Sequence, residues 1–183
     1  MSNFIPEQKA AELVPYFEDV SKSDGWQGQT TTKSVETLKS EIVQAISRLG
    51  GLITGFQRGY FQVGSAKREG FRVFYNLETE NGEMIPGRID VAALPCRNQA
   101  SNREKALRMA LYMLRDSFDG LWFLQQLSPG FAPLMPFMLA KGEQTISQLW
   151  SASPVMKNLL PPGETDFADD VVDGQIKVIK EVK

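Results

Sequence analysis

The feature that most constrains this chain is an unbroken helical pattern over residues 101–127, SNREKALRMALYMLRDSFDGLWFLQQL. Leu107, Leu111, Leu114, Phe118 and Leu121 recur at steps of three and four, which lines one face of a helix. Ala106, Ala110, Met113 and Trp122 widen that face. Ser101 is placed to cap the first turn, with Glu104 three residues on completing a capping box. Pro129-Gly130 supplies the stop. At the usual rise such a helix is about 40 Å long, enough to cross a small domain. The other elements must therefore be laid along it, and its charges keep it out of a membrane.

A shorter helix is expected after Ser34, a good N-cap with Glu36 in the first turn. Val35, Leu38, Ile42, Ile46 and Leu49 form its apolar stripe, and Gly50-Gly51 end it. Three strands follow. Residues 52–58 read as one, with 59–64 continuing it after a bend at Gly59, and Lys67-Arg68-Glu69-Gly70 as a loop. Residues 70–79 and 83–94 read as a hairpin turning at Glu80-Asn81-Gly82. Register decides its geometry. A two-residue Asn-Gly turn would pair Val73 with Asp90 and mismatch the faces. A three-residue loop with Gly82 left-handed pairs Phe71 with Val91, Val73 with Ile89, Tyr75 with Gly87 and Leu77 with Ile85. It also sets Arg72 opposite Asp90. Pro86 donates no ladder bond and belongs at an edge.

Past the long helix, Pro133 and Pro136 limit the chain to short helical pieces, expected at 134–140 and 145–150. Phe131, Leu134, Phe137, Met138, Leu139, Ile146, Leu149 and Trp150 are apolar enough to form a lid over the core. The fold class expected is α+β: helix, three-stranded antiparallel sheet, long helix, with a helical C-terminal lid. Residues 33–161 form the core domain. Residues 1–32 are polar enough to read as a flexible arm, with Trp26 docking on the domain or meeting a partner. Pro161-Pro162-Gly163 marks a boundary before an acidic tail, 162–183, whose Asp169, Asp170 and Asp173 read as solvated rather than metal-binding.

Composition excludes whole classes of chemistry. The chain has no histidine and a single cysteine, Cys96. Histidine triads, histidine general bases, an intrachain disulfide and multi-cysteine metal sites are therefore out. No cofactor is expected. No segment reads as a leader or a membrane span, so a cytoplasmic location is expected, host cytoplasm if phage-encoded. Cys96 itself reads as a buried filler. Charge is uneven: residues 33–115 hold 13 Lys and Arg against 8 Asp and Glu, between two acidic ends.

Two basic groups stand out. On one sheet face Arg72, Phe74 and Arg88 lie together, with Arg58, Lys67 and Arg68 in the neighbouring strand and loop. Interleaved arginine and aromatic side chains suit a phosphate backbone with stacking bases. Arg97, Arg103, Arg108 and Arg115 form the second group; residues 108 and 115 share a helix face with Tyr112 between them. The plain alternative is a solvated sheet face and the outer side of an amphipathic helix. Neither GxGxxG nor GxxxxGK[ST] occurs.

The order helix, three strands, long helix resembles double-stranded RNA-binding domains in topology, without their lysine cluster at the start of the long helix. The stretches GFQRG (55–59), RIDVAALP (88–95), REKALRMALYMLRD (103–116) and GEQTISQLW (142–150) resemble an uncharacterised family of bacterial and bacteriophage hypothetical proteins. That likeness spans residues 34–161 and implies a phage or mobile-element setting, with no site residues to carry over. The expected function is a non-enzymatic accessory protein binding nucleic acid, DNA or RNA, through the basic surface. The alternative is an interaction or inhibitor protein that blocks a host protein or sequesters a nucleotide signal. An enzyme would have to use carboxylates such as Glu78, Asp90 or Glu104. An open sheet edge and an apolar lid are compatible with a homo-oligomer.

Overall fold

A computed structural model describes residues 14–63, 66–79, 81–140 and 143–152. The chain divides into two compact units, 1–146 and 147–183. In the first, helix α1 (Val35–Arg48) leads into strands β1 (Gly51–Val63), β2 (Ala66–Glu78) and β3 (Met84–Ala92), then helix α2 (Gln99–Leu127). Helix α3 (Ile146–Ala152) begins at the boundary. The sheet is antiparallel in the order β1-β2-β3, so the architecture is the α+β one. Residues 1–13 and the acidic tail lie outside the described residues.

Helix α1 starts as its sequence dictates: the Ser34 side chain accepts from the Thr37 backbone N–H. Its stripe is fully buried at Leu38, Ile42 and Ile46. Helix α2 begins earlier than expected. Asn98, not Ser101, caps it, accepting from the Ser101 N–H. The Glu18 carboxylate also takes bonds from the backbone N–H groups of Arg97 and Asn98. A side chain from the N-terminal segment thus supplies acceptors that a capping box would have provided. Glu104 is instead drawn to Arg58.

The β2–β3 register is the one the apolar pattern requires: Phe71 opposite Val91, Val73 opposite Ile89, Tyr75 opposite Gly87 and Leu77 opposite Ile85. The turn closes through Thr79 and Glu83, with Gly82 at φ 78°. Gly87 is required by close approach, because a Cβ there would lie 2.1 Å from the Tyr75 ring. Tyr75, under that ring contact, is buried and donates its hydroxyl to the Leu134 carbonyl at 2.9 Å. Pro86 sits on an edge strand and its carbonyl accepts from the Leu139 N–H.

Two strand expectations are corrected. Strand β1 runs through Gly59 without a break; its irregularity lies between Ile53 and Gly55. Ile53 and Phe56 are three residues apart, yet both lie opposite core-facing partners, Tyr75 and Val73. Only an extra residue in the ladder permits that, and Thr54 is that residue. The presumed loop at 67–70 is the start of β2, paired with the end of β1.

Helices α1 and α2 pack together and against the sheet. The core gathers Phe71, Val73 and Tyr75 with Ile89, Ile42, Leu107, Leu111 and Phe118. Leu134 is buried and Phe137 meets the edge of Phe118 at 6.0 Å. The segment after α2 makes one 3-10 turn, Met135–Phe137, and then extended bridges, Gly87 with Met138 and Leu139 with Thr145. Residues 138–140 are therefore not helical as expected. Phe131, Leu149 and Trp150, expected inside, are exposed.

Residues 14–32 are not a detached arm. Phe17 and Val20 are buried in the core and Trp26 packs against it. The Phe17 N–H bonds the Pro95 carbonyl, and Gln29 donates to the carbonyls of Phe17 and Val20. Three apolar anchors outweigh the polar composition that surrounds them.

Candidate functional site

The ten basic-surface residues do not share one surface. On the sheet face away from the helices, Arg72 makes a two-bond pair with Asp90 at 2.7 and 3.0 Å. Arg88 lies 3.4 Å from the other side of the same carboxylate and donates to the Glu143 carbonyl at 2.9 Å. Phe74 is half-buried beside them. The charge on that face is closed by residues placed opposite each other in the ladder. Arg72, Phe74 and Arg88 thus lie together as expected, with both arginines engaged by Asp90.

The helical ridge is broken in the same way. Arg115 lies over the Tyr112 ring at 4.6 Å and within ion-pair distance of Glu41, Asp116 and Asp119. Arg108 has a shielded Nε and is not in the lining of the cleft that Arg97 and Arg103 share. Arg58 pairs with Glu69 and Glu104, each at 2.6 Å. Arg58 and Arg115 hold elements together.

Four of the ten do converge. Lys67, Arg68, Arg97 and Arg103 line one cleft of about 650 Å³, together with Tyr16 and Tyr60. A single carboxylate, Glu69, is in the lining. The cleft forms where the first residues of β2, the segment after β3 and the first turns of α2 meet, closed on one side by the N-terminal segment. Its position follows from the fold: β2 extends past Gly70, so Lys67 and Arg68 reach the start of α2 where Arg103 emerges.

The cations differ in how they are held. Arg97 is paired with Asp19 and stacks over Tyr16 at 4.6 Å. Arg103 bonds both Glu69 and the Tyr60 hydroxyl. Burial disfavours the Glu69 charge, but the bonds from Arg103 and Arg58 outweigh it and hold this carboxyl below its usual range. Lys67 stands over the Tyr60 ring at 4.4 Å. Neither Lys67 nor Arg68 pairs with a carboxylate among the described residues.

Arg68 is the singular one. It is half-buried, and its Nε and one Nη donate to the Ala93 and Ala92 carbonyls at 2.8 and 3.2 Å. Those bonds cap carbonyls where β3 leaves the ladder, which is a sufficient structural role for two of its three nitrogens. Among the described residues Nη1 has no hydrogen-bond partner. Burial without a counter-charge pushes the Arg68 pKa down, meaning the cation is held at a cost that an anion in the cleft would relieve.

Cys96 also lines the cleft, and burial pushes its thiol pKa up, so it is not an activated nucleophile. Among the described residues no group of three or more carboxylate or thiol side chains could hold a metal ion. Asp90 and Glu104 are both engaged by arginines. No helix among the described residues is long and apolar enough to cross a membrane.

Tyr16, Tyr60 and Glu69 were not singled out by sequence. Tyr60 and Glu69 face each other across the β1–β2 ladder, a signal legible only once that hairpin is extended beyond Gly59. Tyr16, with the cleft-edge acids Glu18 and Asp19, sits in the segment whose composition argued for an arm. The chain matches no family model, no curated protein and no solved structure.

Proposed function

We propose that this protein is a non-enzymatic binder of a phosphate-bearing ligand, a nucleotide or the phosphorylated end of a nucleic-acid strand, received in the cleft lined by Lys67, Arg68, Arg97 and Arg103. The observation that carries the reading is Arg68: a half-buried guanidinium that, among the described residues, has no carboxylate partner, at the wall of a cleft whose described lining holds four cations and one acid. Charge-assisted bonds to a phosphate are about twice as strong as neutral ones, and a partly desolvated site keeps that strength. A cleft of this size takes a strand end or a free nucleotide, not the flank of a duplex. The role of a phage or mobile-element accessory, implied by the motif likeness, fits a binder with no catalytic apparatus.

Titration calorimetry against inorganic phosphate, nucleoside monophosphates, and oligonucleotides with and without a 5′-phosphate tests it. Binding that needs the phosphate, falls with salt, and is weakened in Arg68→Ala is expected. No binding to any of these at low salt would remove the proposal.

A second reading rests on a different region. Phe123, Leu124, Leu127, Phe131 and Met135 are all exposed at the end of α2 and just beyond it. Exposed apolar residues so close in the chain suit a protein partner. Leu127→Glu should then abolish capture of that partner without altering phosphate affinity.

A further inference from the structure

A second cavity, of about 410 Å³, shares Arg68 and Leu94 with the cationic cleft. Its other walls are apolar: Trp26 from the N-terminal segment, Val91 from β3, and Met109, Met113 and Leu114 from α2. Besides Arg68, the polar groups among the described lining residues are the Trp26 indole N–H and the Ser117 hydroxyl, the latter spent on the Met113 carbonyl at 2.8 Å. We propose that the two cavities form one bipartite site for an amphipathic anion, its phosphate beside Arg68 in the cationic cleft and an alkyl or aryl group among Trp26, Met109 and Met113. This rests on the proposed function, since the phosphate is received in the same cationic cleft, and it narrows the ligand to one whose phosphate carries an alkyl or aryl group.

Charge complementarity fixes the orientation. A single guanidinium stands at the junction, so an anion bound to it has one exit into a cationic, tyrosine-lined space and another into a space without charge. The tyrosine faces in the first are already engaged by Lys67, Arg97 and Arg103. An apolar substituent there would have to displace a cation. In the second it meets Trp26 and two methionines, whose flexible thioethers adapt to different shapes. The same walls disfavour a group with many polar edge atoms, because among the described lining residues the Trp26 indole N–H is one donor and cannot satisfy them all. An alkyl or aryl group loses nothing on entering.

The test is calorimetric titration of the full chain with inorganic phosphate, butyl phosphate, hexyl phosphate and adenosine monophosphate. Burial of each methylene should tighten binding by about fourfold, so hexyl phosphate should exceed butyl phosphate by more than tenfold. The readout is the slope with chain length, which cancels any change common to all ligands. That slope should vanish in Ala110→Phe, which fills the cavity from α2. Should that variant fail to fold, Val14→Asp at a position 46% exposed on the same wall provides the comparison. Equal affinity for phosphate and its alkyl esters would overturn the bipartite site while leaving the cationic cleft intact. Tighter binding of adenosine monophosphate than of hexyl phosphate would overturn it too, by showing that a base is preferred. Failure of all four ligands to bind would remove the cleft reading and this inference with it.

Discussion

Arg68 and Arg72 lie four residues apart on one strand and on the same side of its pleat, yet they end in opposite situations. Arg72 faces Asp90 across the ladder and forms a two-bond pair with it. Arg68 faces Phe61, and among the described residues its guanidinium bonds only backbone carbonyls. The outer sheet face is thus electrostatically finished, whereas the cleft is not. A basic count cannot separate the two, because what matters for an incoming anion is the charge left over after the protein has paired its own.

The largest expected effect is on that leftover charge. Removing a charge-assisted bond costs roughly 1.5–3 kcal/mol, so Arg68→Ala should weaken phosphate binding by roughly 10- to 100-fold. Arg72→Ala should change it less than about twofold, as an exposed pair remote from the ligand contributes little. Calorimetry on both variants checks the contrast, and equal losses would break it.

Next comes the wall that the N-terminal segment gives the cleft. Gly28 has φ 80°, and a Cβ there would lie 2.6 Å from the Tyr112 ring. Gly28→Ala combines backbone strain with overpacking and should cost about 1–3 kcal/mol, read by urea denaturation. Phosphate affinity should fall with it, because Tyr16 and Arg97 lose their setting when the segment lifts.

Asp90→Asn sharpens the comparison from the other side. It removes the carboxylate between Arg72 and Arg88, shifting the outer face by one charge toward positive. A new, weak and salt-sensitive retention of single-stranded oligonucleotide is expected, several-fold above the parent at low salt. Gel retardation over a salt series would show it, and its absence would mean that Phe74 and its neighbours present no usable surface.

The smallest effect concerns pH. The Glu18 carboxyl, bonded by the Asn102 side chain and by the Arg97 and Asn98 N–H groups, is lowered from an ordinary 4.5 to about 2. A lowered folded-state value means the contribution is complete above 4.5 and fades as pH falls from there through about 2. The melting temperature should decline over that window, and Glu18→Gln should make the decline shallower without steepening it anywhere above. Identical profiles would show that this carboxylate does not tie the segment to α2.

The elements that were legible are those governed by neighbours in the chain. The α1 cap at Ser34, the stripe of α2 and the Gly82 turn depend on interactions within a few residues. The β2–β3 register was legible as well, because a slip by one residue would turn the whole apolar set outward. The start of α2 was misplaced because Glu18, far away in sequence, contributes to its cap. The bulge at Thr54 had a signal in the three-residue spacing of Ile53 and Phe56, which the glycine at 59 obscured.

Sequence by itself determined the α+β class, the hairpin register and the absence of histidine chemistry, since periodicity, turn stereochemistry and composition are local or additive. Only the tertiary structure decided which arginines were neutralised, which pair of tyrosines flanks the rest, and that Arg68 is the cation shared by a charged and an apolar cavity. The physical reason is reach. An ion pair forms across a few ångströms of space, and the partners here are separated by up to 78 residues of chain, as with Arg97 and Asp19.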